Sequence, residues 1–158
     1  RQMCIRDSFG EGAAKAALLR HARSGGAADI EFRGFLPRHM MRRLYWAADC
    51  AVVSLQQGGV WDKVLPSKMF EIMACGCPMI GLLDGESAEV ASAGGAALVV
   101  PRGDAAGFAE ALRRLAADET LSNRLSEAGP SFVRENFDRR RLAGRYLNLL
   151  EETSCAAR

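Results

Sequence analysis

The sequence predicts an α/β domain with a Rossmann-like, doubly wound parallel sheet followed by C-terminal helices. Short apolar runs of strand length alternate with stretches of helical periodicity as far as Pro101, and only helical periodicity follows. The runs lack a regular polar alternation, which is typical of parallel strands covered on both faces. A chain of 158 residues is long enough for one such domain with one core.

The predicted elements follow one another in a regular order. Strands are predicted at 30–32, 50–53, 78–83 and 97–100, with helices at 12–24, 38–48, 67–75 and 87–93. After Pro101, Asp104 is expected to cap a helix, and a second helix should end at Gly129-Pro130, which combines a C-cap signal with a helix breaker. A short amphipathic piece at 132–137 and a last helix from Asp138 complete the pattern. We therefore divide the chain into a Rossmann-like part at 9–137 and a C-terminal helix and tail at 138–158.

Composition and charge exclude several classes of function. Hydrophobic residues make up 49% of the chain and charged residues 25%, as in a soluble globular protein. The formal net charge of +2, with arginines spread over several predicted helices, argues against a nucleic-acid partner. Apolar runs are shorter than the roughly 20 residues that a membrane-spanning helix needs. We expect a cytoplasmic protein.

The five cysteines indicate free thiols. Their number is odd, and three of them lie in apolar stretches, which fits a reducing compartment. Cys75-Gly76-Cys77 is a C-x-C pair with no second pair to complete four ligands, so we expect no metal.

The loop before the helix at 67–75 is the most informative one for chemistry. Ligands of open parallel sheets bind at the carboxyl ends of the strands, and this loop follows such an end. A helix N-terminus at Ser67 and the ammonium of Lys68 suit a diphosphate, and Glu71, one turn later, suits two vicinal ribose hydroxyls. An exposed ion pair between Lys68 and Glu71 is the alternative that spacing alone leaves open.

Gly10-Glu11-Gly12 invites comparison with the dinucleotide fingerprint of NAD-dependent dehydrogenases. The sixth position is Lys15 instead of glycine, and we find no convincing strand in front of it. A dehydrogenase is therefore the weakest of the functions considered.

Three segments at ordered separations resemble a known family. They are the I-E-F-R-G-F-L-P run at 30–37, the L-Y-W-A-A-D run at 44–49 and the L-P-S-K-M-F-E-I-M-A-C-G-C-P run at 65–78. Together they resemble the C-terminal domain of family 4 glycosyltransferases, which are retaining enzymes of the B-type two-domain fold. The P-S-K segment followed by F-E-x-M-A-x-G-x-P is most similar to the bacterial surface-polysaccharide branch of N-acetyl-fucosamine transferases.

The resemblance implies a site for a nucleotide sugar, with no cofactor beyond that co-substrate. It implies that Glu71 binds the donor ribose, that Ser67 and Lys68 lie near the diphosphate, and that the loop Gly34-Phe35-Leu36 lies near the base. Lys63 stands where the common family pattern has a sugar-contacting glutamate, and Glu86 is expected to line the same crevice. A uridine donor and a polysaccharide or lipid-linked acceptor are implied; the catalytic residues on the acceptor side remain unknown.

The resemblance also implies that an N-terminal acceptor domain and the first two strands are missing. On this interpretation residues 1–8 are a non-native or misread leader, and Met3–Ile5 is one candidate for a substitute strand. We expect a truncated, marginally stable or aggregation-prone domain, inactive alone, because strand edges would be unpaired. The full-length parent is expected at the inner face of the plasma membrane if it associates peripherally.

Two other functions stay open. One is a UDP-sugar epimerase of the same two-domain fold, which would act without an acceptor. The other is a non-catalytic nucleotide-binding α/β module, for which Glu71 would be dispensable to transfer by the parent protein.

Overall fold

The computed structural model describes residues 6–25, 29–56 and 58–156, and the chain forms two compact units. The first unit ends at Leu44 and the second begins at Tyr45. The sequence predicts one core, but none of the described residues before Tyr45 is buried. The buried side chains therefore belong to the second unit.

The first unit is a βαβ arrangement of two parallel strands. It contains β1 (Arg6–Phe9), α1 (Lys15–Ser24), β2 (Ile30–Arg33) and the beginning of α2 (Arg38–Ala47). Strands β1 and β2 pair in parallel, from Arg6 opposite Ile30 to Phe9 opposite Arg33.

Strand β1 corrects the expectation that no convincing strand precedes Gly10. Its sequence is polar, so hydrophobic patterning cannot reveal it. Ion pairs support it instead: Arg33 Nε donates to Asp7 Oδ1 at 2.5 Å, and Arg6 pairs with Asp29 at 2.6 Å. The origin of residues 1–8 stays a prediction, and the Met3–Ile5 alternative falls outside the described residues.

The second unit contains a three-stranded parallel sheet in the order β3-β4-β5. The register places Ala51 opposite Met79 and Met79 opposite Ala97, so the carboxyl ends of the three strands lie side by side. Its elements are β3 (Ala51–Ser54), a 3₁₀ helix (Gly59–Lys63), α3 (Ser67–Ala74), β4 (Met79–Leu82), α4 (Gly85–Ala93), β5 (Ala97–Val100), α5 (Ala105–Ala117), α6 (Glu119–Asn136) and α7 (Arg139–Ala156). The predicted alternation and parallel sheet are confirmed.

The core lies around β4, as its continuous apolar run predicts. Met79 and Ile80 are fully buried, and α3 covers the sheet with Met69 and Met73, which are also fully buried. Ile80 belongs to a cluster with Val100 and Ala111, against which Phe108, Leu112 and Leu115 of α5 pack. The predicted helix after Pro101 and its Asp104 cap are confirmed, since Asp104 Oδ1 accepts from the Gly107 amide at 2.8 Å.

Helix α6 corrects the predicted break at Gly129-Pro130. The helix runs through Pro130 to Asn136 and absorbs the amphipathic piece predicted at 132–137. Gly129 is not a C-cap; a Cβ there would lie 2.6 Å from the backbone oxygen of Met73. The glycine lets α6 pack directly on the backbone of α3, and this tertiary contact outweighs the local cost of the proline.

Helix α7 leaves much of its apolar surface exposed. Tyr146 is 62% exposed, Leu149 55% and Leu150 45%. None of the helices in the described part of the chain is long and apolar enough to span a bilayer.

We predict that Gly129→Ala destabilises the second unit by about 1–3 kcal/mol, because the new methyl group would overlap the Met73 carbonyl and force α6 away from α3. Urea unfolding followed by far-ultraviolet circular dichroism measures the change. Gly144→Ala is the matched control: a Cβ at Gly144, also within a helix, meets no atom within 4 Å. We expect that variant to be neutral or more stable by up to about 1 kcal/mol. Equal effects of the two substitutions would contradict the packing role of Gly129.

Candidate functional site

A buried arginine joins the loops at the carboxyl ends of β3, β4 and β5. The side chain of Arg102, which follows β5, is only 7% exposed. Its Nε donates to Asp84 Oδ2 at 2.6 Å, Nη2 donates to Asp62 Oδ1, and Nη1 donates to the backbone carbonyl of Gln56. We call these four residues the Arg102 cluster.

Hydrogen bonds within the Arg102 cluster favour the charged forms of Arg102 and Asp84. Hydrogen bonding from Arg102 lowers the pKa of the Asp84 carboxyl, and hydrogen bonds to Asp62 and Asp84 raise the pKa of Arg102. The guanidinium and the Asp84 carboxylate therefore both stay charged at neutral pH. Because Arg102 already donates to two carboxylates, its charge is largely compensated within the cluster.

The N-terminus of α3 is the part of this edge best suited to an anion. Pro66 occupies the N-cap position in an extended conformation and makes no side-chain capping bond, and the first turn contains no acidic residue. The amides that begin a helix have no acceptor within the helix, and the helix dipole adds partial positive charge. Ser67 and Lys68 are exposed here, while the next residue, Met69, is fully buried.

Glu71 lies one turn after Lys68 and is half-buried. It lies close enough to the buried Tyr45 to influence that phenol: burial raises the pKa of Tyr45, and the charge of Glu71 raises it further. A half-buried carboxylate has fewer accessible orientations than a fully exposed one, which suits recognition of a defined pair of hydroxyls.

Lys63 and Glu86 lie on two segments that pack together. Lys63 ends the 3₁₀ helix and is exposed, and Glu86 is exposed in the first turn of α4. The segments approach closely at Gly85, which has a φ of +60°; a Cβ there would lie 3.0 Å from the Asp62 carbonyl oxygen. The helix predicted at 87–93 thus begins two residues earlier, at Gly85, and includes Glu86.

The loop Gly34-Phe35-Leu36 belongs to the first unit and follows β2 there. The Gly10 amide donates to the Gly34 carbonyl at 3.3 Å, which ties together the loops after β1 and β2. Phe35 is 79% exposed and Leu36 is half-buried. An exposed ring at the carboxyl end of a parallel strand is available for stacking.

The sequence does not indicate that Gln56, Asp62 and Arg102 lie together in a site. The available signal is their position, since all three follow the carboxyl end of a predicted strand, where ligands of such sheets bind. Arg102 lies 46 residues from Gln56 and 40 from Asp62, so no local spacing indicates that they meet.

Cys77 behaves as an apolar side chain. Cys50, Cys75 and Cys77 form no disulfide, and burial, with smaller contributions from neighbouring groups, raises the pKa of Cys77 to about 12. A thiol that stays protonated is a poor nucleophile and a poor metal ligand. Over the described ranges, no three histidine, cysteine or acidic side chains are grouped to hold a metal ion.

The match to a family description covers most of this fold. Residues 8–118 match "Glycosyl transferases group 1". The chain belongs to this family. The matched range includes the end of β1, all of β2, the three-stranded sheet, the Arg102 cluster and α3. No curated protein matches the sequence.

Solved structures of B-type glycosyltransferases share the fold of this chain. Sucrose-phosphate synthase from Thermosynechococcus elongatus is 22% identical, with a TM-score of 0.74 over 95% of this chain and 38% of its own. A point mutant of S. aureus TarM, in complex with fondaparinux, alpha-GlcNAc-glycerol and UDP, is 14% identical, with a TM-score of 0.74 over 90% of this chain and 28% of its own.

WaaG, a glycosyltransferase involved in lipopolysaccharide biosynthesis, is also 14% identical, with a TM-score of 0.66 over 84% of this chain and 34% of its own. This chain thus spans roughly a third of the length of these structures. At these identities the likeness is one of fold.

We predict that Cys77 reacts with iodoacetamide far more slowly in the folded chain than in urea. Its pKa rises from 9.0 to about 12, so the thiolate fraction at pH 8 falls about a thousandfold. Mass spectrometry of alkylated peptides measures the rate, with half-buried Cys75 as the neighbouring reference. Folding raises the pKa of Cys77, so the protonated thiol contributes to the stability of the folded chain. This contribution is fully present below the unfolded pKa of 9.0 and is lost as the pH rises toward 12. Equal alkylation rates with and without urea would contradict the burial of Cys77.

Proposed function

We propose that this chain is the donor-binding part of a retaining glycosyltransferase that uses a nucleoside diphosphate sugar, with uridine as the base. The observation on which the proposal rests is the α3 N-terminus, which combines an uncapped first turn, Lys68 and a half-buried Glu71 at the carboxyl edge of a parallel sheet. Membership of the group 1 family supports transfer of a sugar as the reaction class. The structure of the TarM mutant, which shares this fold, is a complex with UDP.

In this proposal the diphosphate lies against the first turn of α3. Backbone amides and the Lys68 ammonium compensate its negative charge, and they stabilise the additional charge that develops as the diphosphate leaves the sugar. No cofactor takes part, and the nucleotide sugar is a co-substrate.

Glu71 is proposed to accept hydrogen bonds from the two ribose hydroxyls, and Phe35 with Gly34 and Leu36 to contact the base. Lys63 and Glu86 are proposed to face the transferred sugar, since they border the Arg102 cluster on adjacent segments. The P-S-K segment, with lysine at 63, supports an N-acetyl-fucosamine transferase as the finer assignment.

The acceptor side is proposed to lie on another domain of the parent protein. The similar structures are about three times as long as the part that this chain matches. A polysaccharide or lipid-linked acceptor is the proposed class, which suits an enzyme acting at the membrane surface.

We predict that the chain binds UDP more tightly than GDP or NAD, as measured by titration calorimetry. Lys68→Ala should weaken UDP binding about tenfold and leave uridine binding unchanged, because the loss concerns a contact to phosphate. Arg113→Ala, an exposed cation on α5, is the charge-matched control and should bind UDP normally. Equal losses for uridine and UDP would contradict the placement of the diphosphate.

We predict that Glu71→Gln weakens binding of UDP about tenfold or more, because amide and hydroxyl groups make weaker hydrogen bonds than carboxylate and hydroxyl groups. The loss should be smaller for 2′-deoxy-UDP, which lacks one of the two hydroxyls. Glu127→Gln, an exposed glutamate on α6, is the control. A loss that is equal for both nucleotides would show that Glu71 does not bind the ribose. No UDP binding by the folded chain would contradict the donor site itself.

A further inference from the structure

The 3₁₀ helix at Gly59–Lys63 is joined to the sheet edge by hydrogen bonds from Arg102, which follows β5. Gly58 and Gly59, at its beginning, have φ values of +79° and +68°, and a Cβ at either would meet no atom within 4 Å. These exposed, left-handed glycines lose much conformational freedom when the segment is ordered. Contacts elsewhere in the segment must offset that loss.

The Arg102 cluster supplies such contacts. Arg102 binds the chain on either side of Gly58 and Gly59. It donates to the Gln56 carbonyl before these glycines and to the Asp62 carboxylate after them, within the 3₁₀ helix. Its bond to Asp84 joins the same guanidinium to the residue that precedes α4. The planar guanidinium has enough donors in fixed directions for three acceptors, whereas a lysine ammonium on a flexible stem is a point charge.

The burial of the partners is unequal, which indicates what loss of the arginine would do. Arg102 is 7% exposed, whereas Asp62 is 46% exposed and Asp84 44% exposed. Water can therefore solvate both carboxylates when the arginine is absent. The sheet and its apolar core do not depend on these bonds, so the segment should lose its order while the rest of the unit stays folded.

We infer that Arg102 is a positioning residue that holds the 3₁₀ helix in place, and with it Trp61 and Lys63 on either side of Asp62. For its effect on donor binding this inference rests on the proposed function; for the order of the segment it does not. Trp61 is 41% exposed and presents a flat apolar surface at this edge, which can pack on a sugar ring. Lys63 adds a cation beside it.

The first experiment follows Trp61 fluorescence without any ligand. Trp46, the other tryptophan, is replaced by phenylalanine in every sample, and quenching by acrylamide and fluorescence anisotropy are measured. Arg102→Ala should raise quenching of Trp61 about twofold, because the side chain goes from 41% exposed toward full exposure. Its anisotropy should fall. Arg102→Lys should restore part of the order, since it keeps the charge but not the fork of donors.

Three further variants keep this result interpretable. Arg113→Ala, which removes an exposed ion pair on α5, should leave Trp61 unchanged. Asp62→Asn, at a 46% exposed residue, should raise quenching without risk to the core. Arg102→Ala and Asp62→Asn combined should have little more effect than Arg102→Ala alone, because Arg102→Ala already removes the bond to Asp62. Unchanged Trp61 quenching in Arg102→Ala and Asp62→Asn would overturn the inference.

The second experiment measures UDP binding by the same variants. Arg102→Ala should bind UDP about fivefold more weakly, because the released segment must be ordered on binding. Unchanged UDP affinity with Trp61 released would overturn the link between Arg102 and the donor. If the wild-type chain binds no UDP, the proposed function and that link both fail, and the quenching data alone decide whether Arg102 positions the segment.

Discussion

The contact between α6 and the backbone of α3 at Gly129 determines where the proposed phosphate site lies. Helix α3 has only eight residues, and a short helix is marginal without tertiary packing. Its inner side is fixed by fully buried Met69 and Met73, and its last turn by the approach of Gly129 to the Met73 carbonyl. Ser67 and Lys68 at the other end can therefore remain exposed and still have a defined position. A helix break at Gly129-Pro130 would remove that support.

The Arg102 cluster at the carboxyl ends of the strands is held by charge instead of apolar packing. There the Arg102 guanidinium joins the segments after β3 and β4 through a backbone carbonyl and two half-exposed carboxylates. Because two carboxylates already compensate this cation, we assign the phosphate to the α3 amides and Lys68 and not to Arg102. In the proposal the cluster and the helix therefore have different roles, since the Arg102 cluster orders a loop and the α3 N-terminus binds the anion.

Features with a signal in the local sequence could be predicted, whereas features that depend on contacts between distant residues could not. Buried strands such as β4 and capped helices such as α5 have local signals, namely an apolar run and an N-cap aspartate. Strand β1 has no such signal, because its order comes from pairing with β2 and from ion pairs to Asp29 and Arg33. The start of α3 at Ser67 is local and was predictable from sequence. The Arg102 cluster depends on contacts between distant segments, and one sequence without its fold does not reveal them.

The two units differ in how they are stabilised, and this affects what each can contribute to binding. The second unit has a close-packed core, whereas the described residues of the first unit are held by a two-stranded ladder and exposed ion pairs, which contribute little in water. In the proposal the phosphate and ribose contacts belong to the second unit, where fully buried Met69 and Met73 hold α3 in place. Contacts that are positioned before binding need little ordering, so less of their free energy is lost when the nucleotide binds. Most of the affinity for a nucleotide should therefore come from the ribose and diphosphate.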